Sequence, residues 1–81
     1  MVTREEVERA LQAVPFVPIR VHMTDGRHYD VLRYPGQTLL SDWGLHIGVD
    51  PESEEKPIYD RVVDCAFTHI DRLEPLETAS T

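Results

Sequence analysis

The sequence predicts a mainly β domain with one N-terminal α-helix, its strands curled into a small, strongly bent antiparallel barrel of five to six strands. Helical apolar spacing is confined to residues 3–14, the apolar period falls to two beyond them, and tight glycine turns recur between the alternating runs. Closing such strands into a barrel removes the unpaired edges that an open sheet exposes. With 81 residues, the chain has room for one core, so residues 1–81 are read as a single domain.

The helix is expected at about 3–14. Thr3 with Glu6 has the spacing of a capping box, and Val2 with Val7 that of a hydrophobic staple. Val7, Ala10, Leu11 and Val14 share one face, and Pro15 closes the segment. That face has to cover something apolar, either the core of its own chain or a neighbouring subunit.

Strands are expected at about 17–23, 27–33, 37–41, 45–50, 58–64 and 69–74, with an acidic loop at 50–57 and a frayed tail at 76–81. In the first hairpin a two-residue Asp25-Gly26 loop would mix apolar and charged side chains on one face. A three-residue loop of Thr24, Asp25 and Gly26 sorts them, opposing Ile19 to Val31, Arg20 to Asp30, Val21 to Tyr29 and His22 to His28. The same logic applied to Asp42, Trp43 and Gly44 closes a second hairpin that Leu39, Ser41, Leu45, Ile47 and Val49 fit, with His46 opposite Leu40. In the strand at 58–64 both faces carry apolar residues, so its inward face is left open. Cys65 to Thr68 reads as a helical turn before the last strand, which Pro75 stops.

Three segments carry a resemblance. Pro15-Phe16-Val17-Pro18-Ile19, Asp25-Gly26-Arg27 and Ile70-Asp71-Arg72-Leu73-Glu74-Pro75-Leu76 resemble the landmarks of a family of short uncharacterised bacterial proteins, with a "PFxPF" segment, a "DGR" hairpin and an "RLEPL"-like last strand. The resemblance implies no activity. The helix-first order of short strands also resembles Sm-like and Src-homology-3-like small barrels, some of which form rings that bind RNA. A shared fold does not carry a function with it.

The charge balance narrows the function classes. Fifteen acidic residues against eight basic ones give a net charge of −7, which repels phosphate backbones and speaks against a nucleic-acid partner. No apolar run is long enough to span a bilayer, which speaks against a membrane partner, and the expected setting is cytoplasmic. Cys65 is the only cysteine, excluding an intrachain disulfide or a multi-cysteine zinc site.

No catalytic residue, cofactor or metal centre is predicted. His22 and His28, opposed on one sheet face, are the nearest approach to a metal site, but two ligands are too few and the expectation is a solvated pair. Asp50, Glu52, Glu54 and Glu55 lack the central glycine and flanking helices of a calcium loop. Cys65, with His69 four residues on, has no nucleophile motif around it, and His46 and His69 have no signature spacing. There is no phosphate loop or nucleophile elbow, so an enzyme ranks third among the readings.

Trp43 is the residue that invites a function, because a hairpin tip is normally polar and an indole there is exposed unless it folds back or meets a partner. The expectation is therefore a non-catalytic domain that binds a protein partner or self-associates, through Trp43, through the helix face of Val7, Leu11 and Val14, or through a strand edge. The alternative is an Sm-like nucleic-acid module, which would have to gather Arg20, Arg27 and Arg33 on one face.

Overall fold

A computed structural model describes residues 2–34, 36–51 and 59–76, leaving out the side chains of residues 50, 51 and 60. Helix α1 (Arg4–Leu11) is followed by β1 (Ile19–Met23), β2 (His28–Val31), β3 (Thr38–Leu40), β4 (Gly44–Pro51), β5 (Tyr59–Ala66), a 3-10 turn (Phe67–His69) and β6 (Ile70–Pro75).

The Thr3 hydroxyl accepts from the Glu6 N–H at 3.2 Å, which satisfies one of the helix's orphan donors. Val2, Val7 and Leu11 are buried together. The helix stops earlier than expected, with Gln12 as its cap, and Val14 lies beyond it at 95% exposure. Pro15 explains the difference: it cannot donate to the carbonyl four residues back, and it drives the residue before it out of the helical region.

The strands form two three-stranded antiparallel sheets, β2-β1-β6 and β3-β4-β5, and among the described residues they do not close into a barrel. The barrel expectation, with its Sm-like and Src-homology-3-like reading, is thereby corrected. After β5 the 3-10 turn reorients the chain, and β6 pairs with β1 in the other sheet instead of extending the meander. Open sheet edges are tolerated here. β3 and β2 are short edge strands, and the edge strand β6 carries exposed Asp71, Arg72 and Glu74, which are ordinary ways of blunting an edge.

The first hairpin has the expected register, Ile19 to Val31, Arg20 to Asp30, Val21 to Tyr29 and His22 to His28. Gly26 takes φ +93° in its loop, and Met23 N–H donates to Arg27 O at 2.8 Å. The second hairpin is slipped by one residue from expectation: Leu40 faces Leu45, Leu39 faces His46 and Thr38 faces Ile47. The loop is the two residues Asp42 and Trp43, closed by Ser41 N–H donating to Gly44 O at 2.9 Å. Gly44 is a glycine for a different reason than a left-handed turn. A Cβ there would lie 2.7 Å from the Cys65 carbonyl oxygen on β5.

β5 turns Val63 and Cys65 inward, opposite Ile47 and Leu45, and leaves Val62 outside. It also runs on through Cys65 and Ala66, so the helical turn begins only at Phe67. The core joins Val7 and Leu11 of α1 to Ile19, Val21 and Val31 of one sheet and Leu45, Ile47 and Cys65 of the other, with Phe67 and Ile70 beside them. Leu76 N–H donates to Pro18 O at 2.8 Å, and the rest of the expected tail, 77–81, lies outside the described residues. So does most of the acidic loop at 50–57, including the carboxylates weighed as a calcium site.

Candidate functional site

Alternation along β3, β4 and β5 puts Leu39, His46, Gly48, Val62 and Asp64 on the outer face of the second sheet. Because Gly48 has no side chain, the Tyr59 ring settles over it; a Cβ there would lie 2.5 Å from Tyr59 Cγ. Around this spot opens a hollow of about 280 Å³, lined by Gln37, Leu39, His46, Gly48, Tyr59 and Val62 among others. Leu39 is 70% exposed and Val62 62%, with Trp43 at the neighbouring hairpin tip 55% exposed. An exposed indole next to two exposed aliphatic side chains is an unusual cost for a small domain to carry.

His46 is held rigidly beside the hollow. A carboxylate only accepts, so the 2.7 Å contact with Asp64 Oδ1 puts the proton on His46 Nδ1, leaving Nε2 to accept from the Ser41 hydroxyl at 2.9 Å. The Trp43 ring meets His46 edge-on, with centroids 4.9 Å apart at 83°. The order Ser41–His46–Asp64 has the connectivity of a hydrolase relay, but the serine is occupied. Its oxygen accepts from Gly44 N–H at 3.2 Å and Trp43 N–H at 3.4 Å, with Gly44 O at 3.1 Å as a second acceptor for its proton. The nearby amides point at the hydroxyl itself instead of at a place where a carbonyl oxygen could develop charge. Ser41 caps its turn, and His46 fixes the stance of the tip.

The histidine pair lies on the opposite sheet. His22 and His28 have ring centroids 6.0 Å apart, and His22 Nε2 is taken up by Glu74 Oε1 at 2.7 Å. That bond holds the Glu74 carboxyl below its ordinary range. Beside them Arg20 grips Asp30 with two hydrogen bonds, of 2.8 and 3.1 Å, which pull the Asp30 carboxyl down as well. Among the described residues no group of three or more His, Cys, Asp and Glu side chains could hold a metal ion.

The remaining candidates separate by burial. Val7 and Leu11 are spent on their own core, so neither offers a surface to a neighbour, and Val14 points to solvent away from the helix face it was assigned to. Cys65 is buried, and burial first, then the Asp64 charge, pushes its thiol up to about 11. Arg20 and Arg27 each lie against an aspartate, Asp30 and Asp25, and so do not form a basic patch with Arg33. Trp43 alone of the expected residues belongs to the hollow's surroundings. Leu39 and Val62 were not expected here because the three-residue loop sets Leu39 in line with Leu45 and Ile47 and the inward face of 58–64 was open, and His46 because it has no signature spacing. The signal available was Gly48, a glycine in mid-strand, which marks a close approach by another group.

Compared with known proteins, the chain matches no family model, no curated protein and no solved structure. It is a small, mainly β domain, and among its described residues no helix is long and apolar enough to cross a membrane.

Proposed function

We propose that this chain is a non-catalytic protein-interaction domain, and that the hollow over Gly48 receives an apolar side chain from a segment of another protein. The observation that carries the reading is the exposure of Leu39 and Val62 in the wall of a hollow whose His46 is held by two hydrogen bonds and carries the exposed Trp43 ring against it. Burying one aliphatic side chain there contributes about 1.5–3 kcal/mol, a useful anchor for a short segment. A second copy of the chain fits the patch less well. A stable dimer hides roughly 800 Å² on each partner, far more than three side chains supply, and two chains of net charge −7 repel. A cytoplasmic setting, where the Cys65 thiol stays reduced, belongs to the same proposal.

The test is selection of peptide binders from a displayed random library, followed by competition with the Val62→Glu and Leu39→Glu variants, whose circular dichroism serves as the folding control. Both variants should lose binding by at least about tenfold, the equivalent of one lost apolar anchor. Binders indifferent to both changes would place recognition elsewhere. Light scattering at low and high salt completes the test. A salt-insensitive oligomer that falls apart on Trp43→Ala would replace the proposal with self-assembly.

A further inference from the structure

Gln37, Gly48 and Tyr59 line the apolar hollow and also a second one, of about 200 Å³, which extends to Asp30, Leu32, Arg33 and Val49. The two hollows therefore lie side by side across these three residues, with Leu39 and Val62 lining only the first and Arg33 only the second. Gln37 is the fixed member of the three. The Gln37 side chain accepts from Leu32 N–H at 2.9 Å and donates to Asp30 O and Gly48 O at 2.9 and 3.0 Å, tying the end of β2 to β4. A side chain held this way loses little freedom when the hollows are filled.

The two hollows differ in chemistry. The first is aliphatic and aromatic, and both ring nitrogens of its His46 are already engaged. The second holds two charged residues, Asp30 and Arg33. Both Asp30 oxygens are occupied by Arg20, so that charge is answered. Arg33 is exposed and has no hydrogen-bond or ion-pair partner among the described residues. Among the described residues the unanswered charge lining the two hollows is a guanidinium, whose planar fork of donors matches a carboxylate.

We propose that the two hollows read two side chains of one extended segment, an apolar residue over Gly48 and a carboxylate on Arg33. This rests on the docking reading above and adds the chemistry of the partner. Hollows that share three lining residues suit neighbouring side chains on one face of an extended chain, which are two residues and about 7 Å apart. The overall charge of −7 then favours a segment with a single carboxylate among neutral residues over an acidic tract.

The probes are acetyl-Gly-Leu-Gly-Glu-Gly-amide and its Gln counterpart, titrated to low-millimolar concentration into the isotopically labelled full chain and followed by NMR. Backbone amides of Leu39, Gly48 and Val62 report the first hollow, and the Arg33 Nε–H reports the second. The Glu peptide should bind about three- to fivefold more tightly at low salt, as expected for one exposed ion pair. Arg33→Gln should abolish that preference by weakening the Glu peptide alone, whereas Val62→Glu should weaken both. Equal affinity of the two peptides, or equal weakening of both by Arg33→Gln, overturns the carboxylate assignment and leaves apolar docking standing. Failure of either peptide to shift Leu39, Gly48 or Val62 overturns both.

Discussion

Two glycines in β4 look alike in the sequence and do different work. At Gly44 an added Cβ meets the carbonyl of Cys65, which cannot move without unpairing β4 from β5; at Gly48 it meets the Tyr59 ring, which can swing aside. Gly44→Ala should therefore destabilise the fold by about 2–3 kcal/mol and Gly48→Ala by about 1 kcal/mol, read from urea unfolding. Gly48→Ala should also push the Tyr59 ring off its seat in the wall of the hollow and weaken any peptide bound there. The Arg20–Asp30 pair makes a pH prediction. Its aspartate titrates below the ordinary value when folded and near about 3.9 when unfolded, so the pair's contribution is complete above that value and disappears as pH falls through the lowered one. Asp30→Asn should flatten the fall of stability below that pH, measured by denaturant titration across the acid range. This pair was legible because the Asp-Gly-Arg turn admits only one register that sorts charge from apolar side chains. Gly44 was misread because a glycine beside a turn suggests a left-handed residue, while its contact on β5 is 21 residues away in the chain.

Among the elements, the first hairpin and the start of α1 follow from local chemistry. Thr3→Ala should cost about 1 kcal/mol in thermal or urea unfolding, the value of a lost cap, without altering the rest of the fold. The second hairpin did not follow, and the reason bears on function. Ser41-Asp42-Trp43-Gly44 is compatible with a two- or a three-residue loop, and the glycine turn of the first hairpin suggests the three-residue form. The protein adopts the other, leaving Leu39 outside opposite His46. The slipped register is what sets Leu39 on the outer face with His46 and Val62, where the candidate site lies. Gln37 shows the same limit: nothing in its sequence context announces that one amide ties β2 to β4. Gln37→Leu keeps the bulk and removes those bonds. It should cost about 2 kcal/mol and broaden the NMR signals of Leu32 and Gly48.

At the scale of the molecule, the mainly β class and the helix-first order were readable from periodicity, whereas the division into two sheets was not. Alternation tells which residues face inward and turn chemistry tells which strands form hairpins, but neither says which edges meet after the last turn. Here β6 returns to β1, pairing Ile19 with Pro75 and Val21 with Leu73. That pairing sets an order of assembly. The β3-β4-β5 sheet is a continuous run of chain whose neighbours in space are neighbours in sequence, while the sheet of β1 and β2 is completed only by a strand some fifty residues downstream of β1. Because loop closure must be met before distant contacts reward it, the local sheet is expected to form first. Ile47→Val should then slow refolding, and Leu73→Ala should chiefly speed unfolding, in stopped-flow chevrons. On a ribosome the consequence is a delay: β1 and β2 emerge early as a hairpin with one open side, and that side stays available to other strands until β6 has emerged.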